Sequence, residues 1–262
     1  MRLALYQIDA FTDRLFGGNP AAVVPLEDWL SDAQMQAIAS ENNLSETAFF
    51  VPEGEDYRIR WFTPTREAVL CGHATLASAY LIFNRLDPER DRVAFQTRQA
   101  GLLTVRRLKE ELALDFPAWP PHPVMAPPAL AAGLRSVPQE VLASQRDYLA
   151  VYEREEDVAV LAPDLAVIAG LDRRAVIVTA PSAGDVDFVS RFFAPASGIP
   201  EDPVTGSAHC TLIPYWAERL GKMRLTARQI SARVGELSCE HRGERVTIAG
   251  RCVLYMEGAL TL

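Results

Sequence analysis

The chain repeats itself, and the repeat dictates its architecture. In the first half Arg60-Trp61-Phe62-Thr63-Pro64 precedes Cys71-Gly72-His73-Ala74; in the second, Arg191-Phe192-Phe193-Ala194-Pro195 precedes Thr205-Gly206-Ser207-Ala208. A spacing of 29 positions separates Gly72 from Gly101 and again Gly206 from Gly235, so the register holds without a gap. At that offset Arg85, Leu86, Arg90 and Leu103 meet Arg219, Leu220, Arg224 and Leu237, while Thr97 meets Ser231. A sequence duplicated in this way builds two units of one topology. The boundary is visible too: Pro117, Pro120, Pro121, Pro123, Pro127 and Pro128 crowd into twelve residues, where neither a helix nor a central strand survives. The expectation is an N-terminal domain over residues 1–118 and a C-terminal domain over 119–262, with the last strand able to pack back on the first domain.

Each unit reads as α+β. Tyr57-Arg58-Ile59-Arg60-Trp61, Val93-Ala94-Phe95-Gln96-Thr97 and Leu112-Ala113-Leu114-Asp115-Phe116 alternate with the period of a strand. Turn chemistry at Pro52-Glu53-Gly54 and Gln99-Ala100-Gly101 separates strands as in an antiparallel meander. Between them, Ala74 to Leu86 is apolar or small around nearly its whole circumference, which marks a buried helix. Its counterpart, Ala208 to Leu220, is similarly enclosed, so each sheet is expected to wrap a central helix. Pro214 lies inside that second helix and removes a backbone bond at a cost of ~3 kcal/mol unless the helix bends. Ser31-Asp32-Ala33-Gln34 makes a capping box before the stripe Met35, Ile38, Ala39, the signature of an outer amphipathic helix.

Composition removes several function classes. The net charge of −8 opposes nucleic acid or an anionic membrane as partner, because phosphates select for clustered Lys and Arg; a small molecule is expected instead. The longest mostly apolar stretch, Ala68 to Phe83, falls short of the ~20 residues of a membrane helix. Met1-Arg2-Leu3-Ala4-Leu5 meets Asp9 before a signal-peptide apolar region develops, so a cytoplasmic protein is expected. Cys71, Cys210, Cys239 and Cys252 show no CxxC spacing and are expected as reduced thiols. His73, His122, His209 and His241 are scattered, so no catalytic metal is expected. No GxxxxGK and no GxGxxG after a strand supports a nucleotide.

Chemistry is expected where two buried helices begin, at Gly72-His73 and Gly206-Ser207, facing a cleft between the domains. A helix N-terminus offers unpaired N–H groups and the positive end of a macrodipole, a receptive place for a carboxylate. Around these starts lie His73, Asp202, Ser207 and Cys71. A histidine there is pushed toward its neutral form and an aspartate is held ionised, so the pair could orient a ligand or relay protons. Each residue also has a plain structural reading: His73 as a satisfied core histidine, Asp202 as a turn residue before Pro203, Ser207 as an N-cap. Glu46 stands at the mouth of the apolar strand beginning Thr47-Ala48-Phe49-Phe50. Burial raises a carboxyl pKa toward the range that a group both taking and returning a proton requires; the alternative is an ordinary edge glutamate. Asn19, in the turn Gly17-Gly18-Asn19-Pro20, could hold a ligand or close the turn. A hydrolase triad from Asp202, Ser207 and His209 is disfavoured, since no GxSxG elbow is present and residues two apart on a helix do not face each other.

The blocks Asp9-Ala10-Phe11-Thr12, Phe16-Gly17-Gly18-Asn19-Pro20, Asn43-Leu44-Ser45-Glu46-Thr47, Cys71-Gly72-His73-Ala74-Thr75 and Glu201-Asp202-Pro203-Val204-Thr205-Gly206-Ser207-Ala208-His209 together resemble the PhzF-like family, named for a phenazine-biosynthesis isomerase. The resemblance implies the diaminopimelate epimerase-like fold, two pseudo-symmetric domains each with a mostly antiparallel rolled sheet around a central helix, as a homodimer. It implies no cofactor, Glu46 as the acid/base, and His73, Asp202 and Ser207 around the ligand; together with the helix-start and turn readings above, Glu46, His73 and Asp202 are expected as catalytic and Asn19, Gly72, Gly206 and Ser207 as substrate-binding. It also implies a second glycine where this chain has Val234. In the phenazine enzyme a proton moves on trans-2,3-dihydro-3-hydroxyanthranilate. The related epimerases use two cysteines, one ahead of each helix-start glycine; here Cys71 fills the first place, whereas Asp202 stands for the second.

The leading expectation is therefore a cofactor-independent isomerase that moves a proton on a small unsaturated carboxylate. An amino-acid racemase or epimerase using Cys71, and a noncatalytic small-carboxylate-binding protein, are the alternatives.

Overall fold

A computed structural model describes every residue from Met1 to Leu262. It divides into two units, Met1–Phe116 with Ile248–Leu262, and Pro117–Thr247.

In the first unit Arg2–Ala10 pairs antiparallel with both Cys252–Thr261 and Asn19–Pro25. Asn19–Pro25 runs parallel to Glu46–Glu53, which turns back antiparallel to Asp56–Phe62. Asp56–Phe62 then runs parallel to Arg92–Gln96, which is antiparallel to Leu102–Leu108, itself antiparallel to Glu111–Pro117. The strands expected around Tyr57, Val93 and Leu112 are all present, but they do not form an uninterrupted meander. Parallel neighbours need crossover connections rather than hairpins, and here a buried helix makes one of the crossovers.

That helix, Gly72–Leu81, continues as a π-helical turn over Ile82–Leu86. It packs on Arg2–Ala10, Asn19–Pro25, Glu46–Glu53, Leu102–Leu108 and Cys252–Thr261, so the sheet curls around it. Its polar side chains are tied back into the helix: Thr75 Oγ1 donates to the Cys71 carbonyl (2.6 Å) and Ser78 Oγ to that of Ala74 (2.8 Å). The outer helix Asp32–Asn42 has the capping box that its sequence specifies and buries Met35, Ile38 and Ala39.

The second unit repeats the order. Glu140–Ala143 is antiparallel to Asp147–Val151, which runs parallel to Ala175–Pro181; that strand is antiparallel to Phe188–Phe193. Phe188–Phe193 runs parallel to Arg224–Gln229, which is antiparallel to Gly235–Arg242. The alternation of parallel and antiparallel pairs is that of the first unit, and the buried helix Gly206–Leu220 occupies the same crossover. The duplication extends to side chains. Arg60 grips Glu67 with two bonds of 2.8 Å, and its guanidinium lies 5.0 Å over the Phe62 ring. Arg191 grips Glu201 at 2.7 and 2.9 Å, and lies 5.0 Å over Phe193.

Gly206–Leu220 passes unbroken through Pro214. The proline has no N–H for the carbonyl of Cys210, and Trp119 N–H donates there instead (2.8 Å). The backbone bond that the proline removes is thus restored from outside the helix. No helix is long and apolar enough to cross a membrane.

Candidate active site

Glu46 opens the strand Glu46–Glu53 in register with Ala21, at the point where the strand becomes buried. His73 is the second residue of Gly72–Leu81, and Cys71 caps that helix in extended conformation without a side-chain capping bond. Leaving its thiol uncommitted to the helix lets Cys71 point toward the imidazole: Sγ lies 3.5 Å from His73 Nδ1. The other ring nitrogen, Nε2, lies 3.4 Å from Glu46 Oε2 and 3.9 Å from the same sulfur. Strand and helix therefore bring a carboxylate to a thiol and an imidazole that lie well beyond it in the chain, and all three are buried.

Proximity to a carboxylate favours an imidazolium, but the ring is enclosed, and burial dominates, pushing its pKa down to about 3. His73 is thus neutral at physiological pH. The tautomer that satisfies both neighbours carries its proton on Nε2, facing Glu46, with Nδ1 accepting from the thiol. The result is a chain of thiol, imidazole and carboxylate.

Asn19 is not a turn residue. It is the first residue of Asn19–Pro25, opposite Ala10 and fully buried. It shares a strand face with Ala21, the register partner of Glu46. The turn before it is built on Gly18, whose φ is +61°, and a Cβ there would meet the Ala10 carbonyl oxygen at 2.1 Å.

In the second unit the buried Asp202 accepts a 2.5 Å bond from Thr205 Oγ1. Gln229, fully buried at the end of its strand, secures this loop from both ends. Its Oε1 accepts from Thr205 N–H (2.8 Å), and its Nε2 donates to the Asp202 carbonyl (2.7 Å). Ser231 Oγ adds a bond to the Pro203 carbonyl (2.7 Å). The N-cap of Gly206–Leu220 is Thr205, so Ser207, half-buried at the second helical position, is not the cap. His209 turns away from any triad: its Nδ1 meets the Thr205 carbonyl at 2.8 Å, and its ring lies against Phe188.

Sequence reasoning did not single out Gln229 or Thr205. A signal for Gln229 exists in the repeat, whose offset sets it opposite Phe95. A polar side chain in the place of a core aromatic marks a buried hydrogen-bonding duty.

A family model for phenazine biosynthesis-like proteins, PhzC-PhzF, matches residues 8–258. An uncharacterized isomerase of Pseudomonas aeruginosa is 54% identical over 262 residues, covering 100% of both chains. A crystal structure of a PhzF-family phenazine biosynthesis protein from Enterococcus faecalis superposes with a TM-score of 0.96 at 46% identity, covering 100% of both chains. A hydroxyproline epimerase from Agrobacterium vitis shares the fold alone, with a TM-score of 0.59 at 9% identity over 99% of this chain and 92% of the other.

Proposed function

The chain belongs to the phenazine biosynthesis-like PhzC-PhzF family, it is an isomerase, and we propose that it moves a proton on a small unsaturated carboxylate with Glu46 as acid and base. One observation carries the reading. A carboxylate held at a strand mouth meets a neutral, buried imidazole at 3.4 Å. The imidazole N–H steadies one carboxylate oxygen, and the other exchanges a proton with a substrate carbon. Because the imidazole is neutral, it orients Glu46 without neutralising it. The first N–H groups of Gly72–Leu81 suit the substrate carboxylate, since a helix start concentrates donors and positive potential. Asp202, held by Thr205 and Gln229, and Ser207 at the second helix start are assigned to binding and proton relay. Asn19 is assigned to ligand positioning. The chemistry asks for no cofactor, because proton removal next to an unsaturated carboxylate needs only a base and a stabilised anion. The enzyme is taken to be cytoplasmic and a homodimer; light scattering tests the oligomeric state.

The test is a screen of small cyclic and amino-acid-like carboxylates for solvent-deuterium incorporation by NMR, with wild type beside Glu46→Gln. Exchange that persists in the variant removes Glu46 from the chemistry.

The 3.5 Å contact between Cys71 and His73 favours one further reading, an epimerase in which Cys71 is a proton carrier. Cys71→Ser then abolishes turnover, and normal turnover in that variant rules the reading out.

A further inference from the structure

We propose that Glu46, Cys71 and His73 form a binding site for a divalent ion of the zinc class, and that the occupied site is the inhibited state of the enzyme. Each residue offers one ligand atom, and these atoms lie within 4.8 Å of one another. His73 Nε2 stands 3.4 Å from Glu46 Oε2 and 3.9 Å from Cys71 Sγ. An ion about 2.3 Å from sulfur and about 2.0–2.1 Å from nitrogen and oxygen, in tetrahedral geometry, sets its ligand atoms roughly 3.3–3.6 Å apart. The nitrogen and carboxylate already have that separation; the sulfur, 3.9 Å from that nitrogen and within 4.8 Å of the carboxylate oxygen, reaches it by rotation of the Cys71 side chain.

The ligands also have the right chemistry and support. A thiolate, an imidazole and a carboxylate together select Zn²⁺ or Co²⁺ over Mg²⁺ or Ca²⁺, which prefer oxygen alone. All three residues sit on the ends of regular elements, a strand start and a helix start, so their positions are held by the fold. With Nε2 on the ion, the remaining ring proton sits on Nδ1 and leaves the Cys71 thiolate to the ion. Three protein ligands leave a fourth position for water or substrate. On binding, the Cys71 S–H bond breaks, a sulfur–metal bond forms, and one proton leaves to solvent with no change of oxidation state.

Binding stands independently of the proposed reaction, whereas inhibition rests on Glu46 being the acid/base. The test titrates the chelator-treated full chain with Co²⁺ and follows its absorption. A thiolate-to-cobalt charge-transfer band with tetrahedral visible bands is expected, displaced by Zn²⁺, lost in Cys71→Ser and Cys71→Ala, and at least tenfold weaker in His73→Ala. Cys252→Ser keeps the band. Far-UV circular dichroism of each variant separates lost ligation from lost folding. No charge-transfer band in the wild type, or a band that survives both folded Cys71 variants, overturns the site. Zn²⁺ is expected to stop solvent exchange with the half-saturation found in the cobalt competition. A band with undiminished exchange overturns the inhibitory role while leaving the site in place.

Discussion

His73 Nε2 lies 3.4 Å from Glu46 Oε2, and the imidazole is neutral because it is buried. The pair joins the start of a helix to the mouth of a strand, 27 positions apart in the chain. A donor fixed on one carboxylate oxygen orients a proton-transferring group, and its removal lowers turnover more than binding. His73→Ala is expected to reduce kcat on the order of 10²-fold, with KM changing much less. His73→Gln, which keeps a donor, is expected to recover part of that loss. Equal losses in the two variants contradict an orienting role; steady-state kinetics distinguishes the cases.

Gln229 spans the loop that presents Asp202. Gln229→Leu leaves Thr205 N–H and the Asp202 carbonyl without the partners seen here, and each orphaned buried group costs about 1–3 kcal/mol. A drop in stability of that order is expected in urea unfolding, together with a raised KM. Gln229→Glu keeps the acceptor but sets an acidic oxygen against the Asp202 carbonyl, and is expected to be destabilised at least as much as Gln229→Leu.

Val234 has φ +55°, a left-handed conformation that a β-branched residue adopts only under strain. Such strain costs about 1–3 kcal/mol, part of which glycine returns through its freer unfolded chain. Val234→Gly is therefore expected to stabilise the protein by about 1 kcal/mol and raise Tm by a few degrees. An unchanged or lower Tm contradicts this. The resemblance pointed to a glycine at this position, and the backbone angle supplies the physical reason.

Burial lowers the His209 pKa to about 4, against the usual 6.5. Nδ1 meets the Thr205 carbonyl, and the buried Nε2 has no hydrogen-bond partner, so a proton arriving at Nε2 finds no acceptor. Below about pH 6.5 the unfolded chain takes up a proton that the folded one refuses. Its contribution to stability is thus full above that pH, declines as pH falls toward 4, and is exhausted below it. The whole loss is on the order of 3 kcal/mol. Urea midpoints between pH 7 and 4 measure it, and His209→Phe is expected to flatten the slope.

Much of the fold was legible because duplication is a one-dimensional signal. The paired glycines and the apolar runs at Ala74–Leu86 and Ala208–Leu220 located both buried helices. Strand order was less legible. Alternation identified Asp56–Phe62 and Arg92–Gln96 as strands, but their parallel pairing depends on a helical crossover that local turn chemistry does not encode. Of the candidate site residues, Glu46 and His73 meet in the structure, whereas the contact of Cys71 with His73 is not legible in the sequence: a cap without a side-chain bond cannot be recognised from residue type. Gln229 was hidden because a polar residue at a strand end ordinarily reads as exposed. The partner that Trp119 gives Cys210 opposite Pro214 arises only from tertiary packing.

Transfer of a substrate proton through Glu46 is tested most directly by NMR in deuterium oxide. Wild type is expected to incorporate deuterium at a carbon position of an accepted small carboxylate, while folded Glu46→Gln, still binding that carboxylate, incorporates none above background. Incorporation by the variant at the wild-type rate contradicts the assignment.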